Sequence, residues 1–187
     1  MAWIMLTALL LVTGCTTQPV TGRPRAEAFN ATDTAWIQLT IPMHERALLL
    51  TELAPSRTHN PALADLAART GQQLREETVA LRGLLTLSRI PDTRPHEGHN
   101  MPGMVSLDTL NKARTTTGKE FDQLLTGSLR THFTHTRDLC TSEQTSGAAP
   151  EARALATEIG KSATGELERL DRLRATPRPT AQASHAR

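Results

Sequence analysis

Apolar residues recur at helical spacing in four long segments of the chain, and each segment begins and ends on a recognisable signal. The first carries Trp36, Leu39, Met43, Ala47, Leu50 and Leu53, with Asp33 as a candidate N-cap and Pro55 as a stop. The second opens at Asn60-Pro61, a cap followed by a first-turn proline, and runs through Leu63, Leu66, Leu74, Leu81 and Leu84 to about Ser88. A linker with Pro91, Pro95 and Pro102 leads to a short helix capped by Ser106 and carrying Leu107 and Leu110. The third long helix starts near Gly118 and displays Phe121, Leu124, Leu125, Leu129, His132, Phe133, Thr136, Leu139 and Cys140. The fourth follows Pro150, with Leu155, Ile159, Leu167, Leu170 and Leu173 on one face. Short connections make sequential helices antiparallel, so the pattern predicts an all-α protein closed as an up-down four-helix bundle.

An internal repeat sharpens this expectation. Subtracting 89 from positions in the second half places Asp122 on Asp33, Leu139 on Leu50, Pro150 on Pro61 and Leu155 on Leu66. It also places Ala156 on Ala67, Gly160 on Gly71, Glu166 on Glu77, Leu170 on Leu81 and Leu173 on Leu84, nine identities in a 52-residue window without a gap. Each half is therefore expected to be one helix hairpin, the two pairing through a shared apolar face. The domain so defined spans residues 33–174, with halves 33–88 and 118–174 joined by linker 89–117.

Composition narrows the class. With no Tyr, three Phe and two Trp among 187 residues, the core must be aliphatic, which suits helix stripes better than sheet faces. A formal net charge of only +2, with basic residues scattered among acids, argues against a nucleic-acid footprint.

The ends read differently. Trp3 to Val12 is an apolar run too short to span a bilayer as a helix, and it closes in Val12-Thr13-Gly14-Cys15. That sequence resembles a bacterial lipobox, so residues 1–15 are expected to be a lipoprotein signal, with Cys15 as the lipidated residue of a protein held outside the cytoplasm at the cell membrane. No Lys or Arg precedes the run, a departure from the usual signal; the alternatives are a short secretory signal and the start of a membrane helix. Residues 16–32, rich in Thr, Pro, Gly and Arg, read as a flexible tether, and residues 175–187 as a disordered tail. If Cys15 carries a lipid, Cys140 has no cysteine partner, and a lone cysteine at an apolar site reads first as core.

The densest candidate chemistry lies in the linker. His96-Glu97-Gly98-His99-Asn100-Met101-Pro102-Gly103-Met104 sets two imidazoles and two thioethers within nine residues. Thioethers favour Cu(I) and imidazole serves both copper states, so His96, His99, Met101 and Met104 form a candidate soft-metal set on a Gly- and Pro-punctuated loop. The structural alternative is that both methionines tuck under the bundle as adaptable hydrophobes. On the helices, Pro42 removes one hydrogen bond and frees the Gln38 carbonyl beside Met43 and His44. His135 stands three residues after His132, close enough on a helix for both to reach one ion. Glu76 and Glu77 point about 100° apart on a helix, which suits one solvated and one buried or capping carboxylate. No His has a Glu three residues before it, as a di-iron bundle would need, and no zinc-protease motif, phosphate loop or nucleophile elbow occurs. Catalysis has no support.

Three pieces in this order, Asp33…Ile41-Pro42-Met43-His44…Ala47, then Met101-Pro102-Gly103-Met104, then Gly118…Phe121-Asp122…Arg130-Thr131-His132, resemble the bacterial domain-of-unknown-function family 305. That resemblance implies a ferritin-like bundle and export, and since some members resemble copper-binding proteins it implies metal handling. Family members usually carry a His-His pair near the middle of the first helix of each half, a small residue near the position of His135, which implies that His135 is solvated, and a later Gln-x-x-Glu feature. Here that feature is reduced to Glu77 and Glu166, with Leu74 and Ala163 in the Gln positions. The pairs are broken: Met43-His44 stands in the first half and His132-Phe133 in the second, so the offset sets Met43 against His132 and His44 against Phe133. Met43, His44 and His132 can still converge if their helices face one another. Two functions follow as expectations. One is a copper-binding lipoprotein for sequestration or transfer, with a copper ion as its cofactor; the other is a non-catalytic structural or protein-interaction bundle that has lost its ligands. Neither identifies a protein partner or a homo-oligomer.

Overall fold

The computed structural model describes residues 28–175, so the expected lipoprotein signal with Cys15, most of the expected tether and all but the first residue of the expected tail lie outside the described residues. The helices are α1 (Ala31–Glu52), α2 (Ala54–Arg57), α3 (Pro61–Ser88), α4 (Leu107–Thr115), α5 (Gly118–Ser146) and α6 (Pro150–Ala175), with no strand among the described residues.

Most ends fall where the sequence signals put them, and the first helix shows why one does not. Its N-cap is Asn30, whose side chain accepts from the backbone N–H groups of Thr32 and Asp33. Asp33 is the third helical residue and accepts from the N–H of Asn30 at 2.5 Å, completing a reciprocal capping box. Asp33 is competent to cap, but Asn30 wins because the box satisfies donors at both of its ends. Pro42 lies inside α1 without ending it, and Pro55 occupies the first turn of α2 after α1 has stopped at Glu52. Asn60 caps α3 through the N–H of Ala62, while Arg89, at φ 59°, turns the chain out at the other end. Ser106 caps α4 as expected.

Helix α1 packs on α3 and on α5, and α6 packs on α5 and on α3, which closes a four-helix square. Hydrogen bonds at the two ends set the directions. Asp33 at the start of α1 accepts from the N–H groups of Ala148 and Ala149, at the turn into α6. Asp122 at the start of α5 accepts from the hydroxyl of Thr58, just before α3. The chain therefore runs up in α1, down in α3, down again in α5 and up in α6, so all four packed neighbours are antiparallel. Each hairpin is up-down, and the linker from Arg89 is the one long crossover, a ferritin-like arrangement. It carries the chain back along the α1–α5 face, where Arg94 pairs with Glu45 at 2.7 Å and Arg46 donates to Asn100 at 2.9 Å.

The duplication is visible in packing as well as in sequence. A methyl group at Gly71 would meet Thr51 Oγ1 at 3.0 Å, and one at Gly160 would meet Cys140 Cβ at 3.3 Å; the 89 offset relates both residues of the two pairs. Each glycine lets the second helix of its hairpin approach the first. Cys140 is fully buried, and burial pushes its thiol up to about 12, so it packs as a protonated core residue.

The apolar interior is in two blocks. One gathers Ala47, Leu50, Leu66, Leu74, Phe121, Leu129 and Phe133 towards the α1–α3 turn. The other gathers Trp36, Ile37, Ile41, Leu81, Ala156 and Ile159 towards the α5–α6 turn. Between them the helices place buried polar residues at one level: Thr40 and His44 on α1, Thr78 on α3, His132 and Thr136 on α5.

Candidate metal centre

His44 and His132 meet in this middle layer, both fully buried, with ring centroids 5.2 Å apart and planes inclined at 66°. Each ring has one nitrogen engaged and one free. His44 Nε2 lies 2.9 Å from a carboxylate oxygen of Glu77 on α3, which can only accept, so the proton sits on Nε2. His132 Nδ1 lies 3.3 Å from the carbonyl of Gly103, again an acceptor, so its proton sits on Nδ1. The remaining nitrogens, His44 Nδ1 and His132 Nε2, are buried lone pairs with no hydrogen-bond partner, and the hydroxyl of Thr136 in the same layer has none either. Burial, reinforced by the neighbouring His44, lowers the pKa of His132 to about 3, which keeps the ring neutral.

The linker enters this layer through Gly103. At φ 79° it adopts a conformation open to glycine, and a Cβ there would come within 2.9 Å of both His135 Cγ and Met43 Cε. Met43 is fully buried and is the residue that the repeat makes equivalent to His132. Gly103 thus crosses the bundle between two pseudo-equivalent side chains, at the point where the halves meet. His135 is half-buried, because the linker covers it; solvation was the expectation, and the crossover route is what displaces it.

The nine-residue stretch from His96 to Met104 is divided by this crossing. His99 is exposed and His96 half-buried on the outer turns, Met101 is half-buried, and Met104 is buried at the edge of a groove shared with Val105, Thr109 and Leu124. Its histidine end faces outward and its methionine end inward. Among the described residues no group of three or more His, Cys, Asp or Glu side chains is gathered as a metal site. What the bundle supplies is two imidazole nitrogens, with the Met43 thioether in the same layer.

Glu77, read from the sequence as a remnant of the Gln-x-x-Glu feature and as one of a solvated and a buried or capping carboxylate, was not paired there with His44. The repeat was its signal, since Glu166 stands at the equivalent position. In the second half Phe133 replaces the histidine, and the buried Glu166 is held instead by the hydroxyl of Thr70 at 2.9 Å and by Arg169 three residues on. The equivalent of Arg169 in the first half is Ala80. One half thus keeps a His–Glu pair, and the other has exchanged it for an Arg–Glu pair.

Comparison with known proteins agrees with this architecture. A DUF305 protein from Streptomyces coelicolor, described as a candidate secreted protein, superposes with a TM-score of 0.69 at 19% identity, over 77% of this chain and 91% of its own. A DUF305 fragment from Deinococcus radiodurans superposes with a TM-score of 0.72 at 19% identity, over 79% of this chain and 97% of its own. No curated protein matches the chain. The family profile described as domain of unknown function DUF305 matches residues 33–174, from the first turn of α1 to the last turn of α6, and the chain belongs to that family.

Proposed function

We propose that this protein is an exported, lipid-anchored bundle that binds a soft metal ion, copper as Cu(I), for sequestration or transfer, and that it is not an enzyme. The carrying observation is the state of the two buried histidines. Each donates its proton to a fixed acceptor, Glu77 or Gly103, and each keeps an unpartnered lone pair in a buried layer. Acceptors behind the ring are how proteins orient metal-ligating histidines. With metal–nitrogen bonds of about 2 Å, two imidazoles sharing one ion at a tetrahedral angle have centroids about 5 Å apart, which the observed spacing matches. Two neutral nitrogens and a thioether suit Cu(I) better than zinc, whose structural sites take four Cys, His or carboxylate ligands. In this reading Met43, His44 and His132 hold the ion, and the outward histidines of the linker do not.

Export rests on the segment ending in Cys15 and on the description of the Streptomyces relative. No helix among the described residues is long and apolar enough to cross a membrane; attachment is assigned to a lipid on Cys15 from the lipobox-like Val12-Thr13-Gly14-Cys15. A second reading, an interaction bundle that has lost its ligands, is favoured by one observation: Glu166 is paired with Arg169, and Phe133 stands at the place equivalent to His44.

Anaerobic Cu(I) competition against a chromophoric chelator decides between them, with the full chain and with variants His44→Phe and His132→Leu checked for helicity. Each single change is expected to weaken binding at least about tenfold, the cost of about 1.4 kcal/mol of ligand interaction. Wild type that binds no tighter than the double variant would sink the copper reading. Binding that survives the double variant but vanishes when His96, His99, Met101 and Met104 become Ala would move the site to the linker.

A further inference from the structure

The linker is fixed to its two flanking helices in different ways. From α1, Arg46 donates to Asn100 Oδ1 at 2.9 Å and to the Val105 carbonyl at 3.4 Å, one contact on each side of a tight turn. The turn is Met101-Pro102-Gly103-Met104, closed by the N–H of Met104 on the Met101 carbonyl at 3.0 Å, with Gly103 at φ 79°. On α5 the residue that the repeat makes equivalent to Arg46 is His135. It pins nothing: it is half-buried against Gly103, and among the described residues no hydrogen bond engages its ring nitrogens.

Under this turn His135 and Met43 come together. His135 Cγ and Met43 Cε each lie 2.9 Å from where a Cβ of Gly103 would stand, so ring and thioether methyl are no more than 5.8 Å apart at these atoms. With metal–nitrogen and metal–sulfur bonds of about 2.0–2.3 Å, that separation lets one ion touch both side chains. Gly103 turns only a hydrogen toward the gap. The two residues differ in depth: Met43 is fully buried in the layer of the histidine pair, while His135 is half-buried at its rim. His135 is also one helical turn from His132, near enough for charge on it to act on that ring.

Taking the copper reading above as given, we propose that His135 and Met43 form a transfer position through which Cu(I) passes between solvent and the His44–His132 pair. His135, as a neutral imidazole, takes the ion at the solvent edge of the linker turn. The bond from Cu(I) to the Met43 sulfur then forms as the bond to the His135 nitrogen breaks, with no electron or proton moved, and the ion goes on to the free His44 Nδ1 and His132 Nε2. Both carriers suit Cu(I). The route reaches the pair through its thioether, not through the protonated nitrogens that face Glu77 and Gly103. A methionine serves the inner step because its three rotatable bonds let the sulfur swing while α1 stays in place. The linker stays closed, since side chains hand the ion on beneath it.

The test separates rate from affinity in the full chain, with each variant checked for helicity. Cu(I) is supplied anaerobically as its weak acetonitrile complex and later withdrawn by a chromophoric chelator, with both rates followed by stopped flow. His135→Leu is expected to slow loading and withdrawal together by about tenfold while the dissociation constant moves less than about twofold, because a lost carrier changes the path and not the end state. His135→Met, which keeps a soft donor in a side chain of similar size, is expected to restore most of both rates. If the Leu and Met variants are equally slow, His135 acts through packing and the transfer position is wrong. Wild-type rates in His135→Leu would mean that the ion enters elsewhere, and binding weakened by about tenfold at equilibrium would make His135 a resting ligand; either result overturns the proposal. If wild type takes up no Cu(I) at equilibrium, the copper reading itself fails, before any rate is compared.

Discussion

A methyl group at Gly103 carries two separate penalties. The left-handed backbone costs a side chain about 1 kcal/mol, and overlap with His135 and Met43 adds about 1–3 kcal/mol of overpacking. Gly98, at φ 84° with nothing within 4 Å of a new Cβ, isolates the first penalty. Gly103→Ala is therefore expected to lower unfolding free energy by about 2–4 kcal/mol in urea titration, against about 1 kcal/mol for Gly98→Ala. Equal losses in the two variants would show that the linker does not seal the layer. At this scale the sequence told residue type better than residue partner. Met43, His44 and His132 were singled out through the family resemblance, which expects a His-His pair in each half and left their convergence conditional on the helices facing one another. Glu77 was not identifiable as the partner of His44, since 33 residues separate them and only the packing of α3 on α1 brings them within 2.9 Å. The linker stretch looked like a single ligand set in sequence, yet the turns around it send His99 outward and Met104 inward, an outcome that spacing along a chain without helical periodicity does not encode.

Elements were the most readable level. Caps and prolines mark where backbone donors run out, and those rules are local, so Asn60, Ser106 and Pro150 marked true starts. Asp33 failed as a cap for the same local reason: Asn30 offered a better box one turn earlier. The route of the linker was less readable, because it depends on contacts between distant residues. Arg46 is the chief of these, buried beneath the crossover and donating to Asn100 and Val105. Arg46→Ala removes a donor from both acceptors, of which Asn100 Oδ1 keeps the N–H of Leu107, and removes packed methylene groups, so a loss of about 1–2 kcal/mol is expected. More telling is where the loss appears. Amide exchange in residues 94–105 should quicken while α3 and α6 keep their protection, and a glutamate-specific protease should cut after Glu97 sooner than in wild type. Uniform loosening of all helices would show instead that Arg46 holds the bundle rather than the crossover.

The whole molecule is a duplicated hairpin whose symmetry has been broken at the centre and at one end, and the end has a pH consequence. At both ends an aspartate from the first helix of one half secures the turn of the other, Asp33 at Ala148 and Ala149, Asp122 at Thr58. Only the α5–α6 end adds a second carboxyl: Glu143 is fully buried beside Asp33, whereas its equivalent by the repeat is Ala54. No donor points at either Glu143 oxygen, so its bond to Asp33 exists only when Glu143 carries the proton and donates it. Burial first, then that bond and the charge on Asp33, raise Glu143 to about 8. Asp33 itself, although burial opposes ionisation, is held below the usual carboxylate range by hydrogen bonds from Glu143, Asn30, Ala149 and Ala148. Unfolded Glu143 titrates near 4.5, so between about 4.5 and 8 the folded chain holds a proton that the unfolded chain has released. Stability from this group is full below 4.5, declines as pH rises, and is exhausted above 8, with a limiting slope of about 1.4 kcal/mol per pH unit. His132 acts in the opposite sense, since its pKa is lowered from 6.5 to about 3 and the unfolded chain gains a proton that the folded one refuses as pH falls through that window. The metal-free protein should therefore lose stability on both sides of a maximum near neutral to mildly acidic pH. Glu143→Gln is the decisive variant, because an amide can donate to Asp33 at every pH. Urea titrations at pH 5, 7 and 9 should show its stability relative to wild type rising across the series, with the alkaline decline of wild type flattened and only the loss below about pH 4.5 unchanged. A variant that tracks wild type in parallel from pH 5 to 9 would mean that Glu143 is ionised in the folded state and that the proton does not hold this end of the bundle together.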